Sequence, residues 1–86
     1  MAKYSVLYTE TFYKSLKSIP GKDVKRILRK TQTLTIDPRP YGCQKLAGQE
    51  RYRIRQGNYR IIYSIEDAKL IVIVVNIGHR REVYAR

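Results

Sequence analysis

The sequence has few of the residues that stabilise small domains by cross-linking. Its 86 residues include one cysteine, one histidine and no tryptophan. A single cysteine excludes an internal disulfide, and no group of cysteine and histidine has the spacing of a zinc site. Because a chain of this size depends on one compact core, its 43% of hydrophobic residues must supply that core. We therefore expect a single domain spanning residues 1–86, in a reducing compartment.

Acidic residues and long apolar runs are also scarce. The longest apolar run, residues 70–75, is far too short to cross a membrane, and the N-terminus lacks the apolar stretch of a signal peptide. We therefore expect a soluble, cytoplasmic protein. Seven acidic residues against 18 lysines and arginines give a net charge of +11. This excess favours a polyanionic partner, most simply a nucleic acid.

The N-terminal half predicts one strand followed by two helices. Alternation of Tyr4, Val6 and Tyr8 predicts a strand at residues 3–8. Thr9 is a suitable cap for a first helix, which should end before Pro20. A second, basic amphipathic helix follows, with its apolar positions at Val24, Ile27, Leu28, Thr31 and Leu34.

The C-terminal half predicts a surface loop and then strands. Prolines and glycines indicate a loop over residues 37–50, and Gln56-Gly57-Asn58 indicates the turn of a hairpin. The continuous apolar run from Leu70 to Val75 predicts a mid-sheet strand covered on both faces, followed by a short strand or tail over residues 79–84. Together these elements predict an α+β fold, in which two N-terminal helices pack on one face of a small, mainly antiparallel sheet of four to five strands.

Arginines recur at every second position of the first hairpin strand. Arg51, Arg53 and Arg55 should therefore project from one face, and Arg60 on the adjoining strand can share it. One interpretation is a solvated strand face that keeps the sheet soluble. The other is phosphate recognition, favoured because no acidic residue occurs from Arg51 to Ile65 and each guanidinium fork can hold two phosphate oxygens.

Three segments resemble the RelE branch of the RelE/ParE toxin superfamily. They are Lys45-Leu46-Ala47-Gly48, Tyr52-Arg53-Ile54-Arg55 with Gly57-Asn58-Tyr59-Arg60-Ile61-Ile62-Tyr63, and Gly78-His79-Arg80-Arg81-Glu82-Val83-Tyr84. The resemblance implies a RelE-like fold and the toxin of a type II toxin–antitoxin system, acting as a ribosome-dependent endonuclease on mRNA in the A site. It implies no metal or other cofactor. The implied partners are mRNA, the small ribosomal subunit with its 16S rRNA, and a small acidic RelB-like antitoxin. The toxin would contact DNA only through that antitoxin, and no membrane partner is implied.

The resemblance also implies roles for individual residues. Arg53 and Arg55 stand where relatives often have lysines near the attacking 2′-hydroxyl and the phosphate. The resemblance implies three further catalytic residues: Arg60 would bind the phosphate, Arg80 would act at the leaving group, and Tyr84 would stack on the base. Lys45, Arg51 and Arg81 would bind RNA. Arginine holds its proton too tightly to be an efficient general base, so the proton acceptor stays open. His79 is a weaker acid–base candidate, because strand neighbours face opposite sides and it should face away from Arg80.

Two other functions fit the same sequence. A ParE-like protein would share the fold and poison DNA gyrase by binding it, without nuclease residues. A non-catalytic RNA-binding or ribosome-binding protein would need only the positive charge. Mapping of mRNA ends after a pulse of expression separates all three functions.

Overall fold

The computed structural model describes residues 3–48 and 50–79, and the strands in that part of the chain form one mixed sheet. They are β1 (Ser5–Tyr8), β2 (Gln44–Lys45), β3 (Tyr52–Gln56), β4 (Tyr59–Glu66) and β5 (Ile71–His79). Their spatial order is β1-β5-β4-β3-β2, with β1 parallel to β5 and every other neighbouring pair antiparallel. The prediction of a small, mainly antiparallel sheet is confirmed.

Two helices make the crossover that follows β1. Helix α1 (Glu10–Leu16) begins at Thr9, whose hydroxyl accepts a hydrogen bond of 3.1 Å from the Phe12 amide. Pro20 is the N-cap of α2 (Gly21–Gln32), which a single 3₁₀ turn, Thr33–Thr35, extends. In the described part of the chain, neither helix has the length and apolarity that crossing a bilayer would require.

Both helices pack on the same face of the sheet, as predicted. Phe12, Ile27 and Leu34 are fully buried on the helical side. They join a cluster of sheet residues consisting of Ile54, Ile61, Tyr63, Val72, Val74 and Ile77. Burying a side chain of this kind contributes roughly 1.5–3 kcal/mol, so this layer stabilises the fold.

Two predictions about the strands need correction. The predicted loop at residues 37–50 contains β2, whose two residues are too few to show any alternation. Leu70 does not belong to β5: it adopts a left-handed conformation, with φ of 54°, where a 3₁₀ turn (Asp67–Lys69) ends. Within β5, Val72 and Val74 are fully buried whereas Ile71 and Ile73 are half-buried. The strand is internal, but only one of its faces is fully covered.

A compact polar network lies at one end of the sheet. The Arg39 guanidinium donates two hydrogen bonds to the Asp67 carboxylate, of 3.2 and 2.8 Å, and lies 5.2 Å from the centre of the Tyr52 ring. The Tyr4 hydroxyl donates to the same carboxylate at 2.6 Å. Arg39 and Tyr4 hold the pKa of Asp67 at about 2, below its usual value. We call Arg39, Asp67, Tyr4 and Tyr52 the paired end of the sheet.

Candidate functional site: a face of arginines

The register of the hairpin brings three arginines onto one face. Arg55 of β3 lies directly opposite Arg60 of β4, and Arg53 lies opposite Ile62. Residues that face each other across an antiparallel pair point to the same side of the sheet. Because Ile54 and Ile61, which alternate with these arginines, enter the helical core, the arginines occupy the opposite side. We call Arg53, Arg55 and Arg60 the arginine face.

Two of the three arginines are buried. Arg53 keeps 6% of its surface exposed and Arg60 keeps 2%, whereas Arg55 is exposed. Charged residues are almost never buried to this degree without specific partners. A solvated strand face therefore does not describe these positions.

The side chain of Gln44 contacts Arg53. Gln44 of β2 lies opposite Arg53, and its Oε1 accepts a hydrogen bond from the Arg53 guanidinium. Burial, with a smaller contribution from the neighbouring charge of Arg55, lowers the pKa of Arg53. No pattern in the sequence identifies Gln44, because its position depends on the pairing of a two-residue strand.

The two described RNA-binding candidates lie in different places. Arg51 is exposed and precedes β3, so alternation along the strand places it on the side of Arg53. Lys45 lies opposite Tyr52, on the other side of the sheet, and its ammonium is 3.2 Å from the Glu50 carboxylate. The structure therefore brings Arg51 towards the arginine face and does not bring Lys45 there.

His79 lies on the side of the helices, as strand alternation predicts. It faces Tyr59 across the β4–β5 pair, with ring centres 5.9 Å apart and ring planes at 78°. Its neighbour Gly78 is the residue that lies opposite Arg60. Arg80, Arg81 and Tyr84 lie outside the described residues, and the roles suggested for them stay predictions.

A polar cleft lies against the sheet, lined by α1, by the C-terminal half of β5 and by Ile62 of β4. It has a volume of about 890 Å³, and its lining also includes Arg51, Ser15 of α1 and Ser18, which follows α1. The Ser15 hydroxyl donates to the Asn76 side chain at 3.3 Å. No local pattern in the sequence predicts the contact of Ser15 with Asn76, because 61 residues separate them along the chain.

The arrangement is suited to binding and stabilising a phosphate group. Guanidinium groups stay charged at any physiological pH and offer paired donors to phosphate oxygens. Donors fixed in a partly buried site stabilise developing negative charge more strongly than the same groups do in water. The arginine face can therefore supply electrostatic stabilisation, whereas its arginines are poor proton acceptors.

Comparisons with known proteins identify the family of this chain. Residues 6–84 match the family described as ParE toxin of type II toxin–antitoxin system, parDE. Toxin RelE3 of Methanocaldococcus jannaschii is 36% identical over 84 residues, covering 92% of this chain and 93% of the relative. The toxin of the RelE–RelB complex from Pyrococcus horikoshii shares 28% identity, with 91% of this chain and 96% of that chain covered and a TM-score of 0.80. The isolated RelE toxin of Escherichia coli shares 26% identity, with 98% and 93% covered and a TM-score of 0.75. This chain therefore belongs to the RelE/ParE family of toxins from type II toxin–antitoxin systems.

Proposed function

We propose that this toxin is a ribosome-dependent endoribonuclease that cleaves mRNA in the A site and so inhibits translation. The observation that carries the proposal is the register of β3 and β4, which sets Arg55 opposite Arg60 with Arg53 on the same face. Arg55 is exposed on that face, where it can contact RNA, and the buried Arg53 and Arg60 add positive charge beside it.

The reaction proposed is attack by a ribose 2′-hydroxyl on the adjacent phosphate. The bond from O2′ to phosphorus forms, the bond from phosphorus to O5′ breaks, and the products are a 2′,3′-cyclic phosphate and a 5′-hydroxyl end. The 2′-hydroxyl releases its proton and the leaving 5′-oxygen takes one up. Since negative charge accumulates on the phosphate oxygens between these events, cations fixed around them lower the barrier.

Each arginine takes a separate part in this scheme. Arg53 and Arg55 lie near the attacking hydroxyl and the phosphate, and Arg60 braces the phosphate. Arg80 stabilises or protonates the leaving oxygen, and Tyr84 stacks on the base. Because arginine is a poor base, electrostatic stabilisation of the transition state carries most of the rate. The proposed reaction uses side chains alone, without a metal ion.

The proposed partners follow from charge and from the relatives. A net charge of +11 favours association with 16S rRNA and mRNA. The Pyrococcus horikoshii relative is a complex of RelE with RelB. We propose that an acidic RelB-like antitoxin binds this toxin, with carboxylates near the arginine face. The toxin would meet DNA only through that antitoxin.

A second candidate function is the poisoning of DNA gyrase. The matched family carries the name of the ParE toxins, which favours this alternative. A protein that acts by binding gyrase has no evident use for buried arginines gathered on one face, so we rank it below the nuclease. A non-catalytic ribosome-binding protein ranks third, because it would need only the charge.

The decisive experiment tests the purified toxin in three assays. The toxin is added to ribosomes translating an mRNA, to the naked transcript of that mRNA, and to gyrase in a supercoiling assay. Primer extension should show cuts within codons on ribosomes, and supercoiling should be unaffected. Intact mRNA with inhibited gyrase would support the second candidate. Intact mRNA, normal supercoiling and co-sedimentation with ribosomes would support the third.

A matched pair of substitutions tests whether cleavage depends on the arginine face. Arg55→Gln removes an exposed arginine from this face, and Arg29→Gln removes an exposed arginine from α2. Both changes remove one positive charge at the surface. Only Arg55→Gln should abolish the cuts. Equal loss in the two variants would show that total charge matters and that the face does not.

A further inference from the structure

The register of β4 and β5 shifts by one residue beside the arginine face. Ile62 lies opposite Asn76, whereas Tyr63 lies opposite Val74. Val75 is therefore an additional residue of β5 at this point. Bulges of this kind redirect the side chains next to them and are common beside active sites. The additional residue decides on which side of the sheet Asn76 lies.

Asn76 would enter the helical core if the alternation along β5 were regular. Val72 and Val74 are buried in that core, and strict alternation would place the next even-numbered residue beside them. After the bulge, Ile77 enters the core instead. Asn76 therefore lies on the opposite side of the sheet, which is the side of the arginine face.

Asn76 shares a cross-strand row with one member of the arginine face. Ile62 of β4 lies opposite Arg53 of β3 on one side and opposite Asn76 of β5 on the other. Two strand spacings separate Arg53 from Asn76, which is roughly 10 Å at about 4.8 Å for each spacing. An RNA strand bound on the arginine face therefore lies within reach of Asn76.

Two hydrogen bonds fix the orientation of the Asn76 side chain. Its Oδ1 accepts from the Ile77 amide at 2.8 Å and from the Ser15 hydroxyl at 3.3 Å. Because a backbone N–H can only donate, the atom that it contacts is the amide oxygen, and the Nδ2 group lies on the other side. Within the part of the chain that the structure describes, Nδ2 makes no hydrogen bond. Asn76 therefore offers two fixed N–H donors to a ligand.

Asn76 lines the polar cleft, which has a volume of about 890 Å³. Ligand pockets commonly have volumes of about 300–1,000 Å³. Much of the remaining lining can donate hydrogen bonds, through the side chains of Thr9, Thr11, Ser15, Ser18 and Arg51. None of the described residues that line the cleft is acidic. Such a lining suits RNA, which is anionic and carries hydrogen-bond acceptors on its phosphates, riboses and bases.

We propose that Asn76 binds the RNA substrate, donating from Nδ2 to an acceptor of the RNA strand in the polar cleft, while Ser15 holds the amide in this orientation. The proposal rests on the proposed nuclease function and deepens it, since the reaction scheme gives Asn76 no part in the chemistry. The acceptor is a phosphate oxygen or an acceptor on a base edge, because both take the same donor. A contact made equally before and during the reaction strengthens binding and leaves the rate of the bound complex unchanged.

The same chemical change at two asparagines tests the contact. Asn76→Asp keeps an oxygen that can accept from Ile77 and Ser15, and it replaces the Nδ2 donor by a second carboxylate oxygen. Asn58→Asp makes this change in the exposed hairpin turn. In single-turnover cleavage on ribosomes, Asn76→Asp should raise the toxin concentration at half-maximal rate at least about 10-fold, with the maximal rate within about 3-fold of wild type.

Asn58→Asp should leave the half-maximal concentration and the maximal rate unchanged. An equal rise of the half-maximal concentration in both variants would overturn the proposal, because it would assign the effect to total charge. A fall in the maximal rate of Asn76→Asp with an unchanged half-maximal concentration would also overturn it. Thermal melts of both variants should match wild type.

Asn76→Ala, which adds no charge, distinguishes the two kinds of acceptor. Its half-maximal concentration is compared with that of wild type on four mRNAs that differ only in the base at the cleavage position. The same rise on all four would identify a phosphate oxygen as the acceptor, and a rise that depends on the base would identify a base edge. No rise on any of the four would overturn the proposal.

A second measurement does not depend on cleavage. Asn58 and Asn76 are the only asparagines of the chain, so their side-chain NH₂ resonances are readily distinguished in nitrogen–proton correlation spectra. The probe is a short single-stranded RNA in which 2′-O-methyl groups replace the attacking hydroxyls. It should shift the Asn76 resonances and leave those of Asn58 in place. If wild type cuts no mRNA, the nuclease proposal fails, whereas a shift at Asn76 still supports the RNA contact. Unchanged Asn76 resonances would overturn the contact whatever the activity.

Discussion

Arginines at the paired end of the sheet and on the arginine face have opposite surroundings. Arg39 is exposed and makes two hydrogen bonds with Asp67, with Tyr4 completing the network. Arg53 is buried, donates a hydrogen bond to the neutral side chain of Gln44 and lies near a second cation, Arg55. Burial and the charge of Arg55 lower the pKa of Arg53, whereas the Asp67 carboxylate raises the pKa of Arg39.

The two groups of arginines therefore contribute differently to the fold. Exposed ion pairs contribute about 0–1 kcal/mol, so the paired end is a modest structural device. Burial and the neighbouring Arg55 both disfavour the charged form of Arg53, and its pKa is lowered as a result. Perturbed groups of this kind are enriched at functional sites. The comparison supports the arginine face as the site that we propose for phosphate.

Removing Arg80 or Arg55 should have the largest effect on activity. We expect Arg80→Ala and Arg55→Gln each to lower cleavage on ribosomes by about 100- to 1,000-fold, since each removes one donor to developing charge. Circular dichroism and thermal melts should match wild type. Arg39→Gln, the matched change at the paired end, should leave the cleavage rate unchanged. A folded Arg80→Ala variant with full toxicity would show that Arg80 does not belong to the site.

Replacing Arg53 by an apolar residue should reduce both activity and stability. Arg53→Met removes a cation from the arginine face, so cleavage should be lost. It also removes the hydrogen bond from Arg53 to Gln44, so we expect the free energy of unfolding in urea denaturation to fall by about 1–3 kcal/mol. An Arg53→Met variant as stable as wild type would mean that Arg53 does not stabilise the fold, and would sharpen the contrast with Arg39.

Acid should weaken the paired end through Asp67. Its pKa is about 2 in the folded protein against an ordinary value of 3.8. A depressed folded-state pKa gives stability that is fully present above the unfolded value and is lost as pH falls through the folded value. The free energy of unfolding should therefore decline between about pH 4 and pH 2. Arg39→Gln should flatten that decline, and an equally steep decline in Arg39→Gln would assign it to other carboxylates.

Sequence patterns predicted the helices and the sharing of one face by the arginines because both depend on local periodicity. Thr9, Pro20 and the alternation around Ile54 are signals within a few residues. The patterns did not predict Gln44 beside Arg53, since strand pairing at that point involves two residues of β2. They also did not predict the burial of Arg60, because burial depends on the packing of distant segments.

The position of Lys45 in the sheet also could not be predicted from the sequence, and substitution of Lys45 should have the smallest effect on RNA binding. The resemblance suggested RNA binding, yet the strand register puts Lys45 across the sheet from Arg53 and within 3.2 Å of Glu50. A lysine or arginine that contacts phosphate adds about 1 to the slope of log binding constant against log salt concentration. Arg51→Gln should reduce that slope for binding to ribosomes by about 1, and Lys45→Gln should leave it unchanged. Titrations at several salt concentrations measure both slopes. A loss in Lys45→Gln equal to that in Arg51→Gln would show that bound RNA extends around the edge of the sheet at β2, beyond the arginine face.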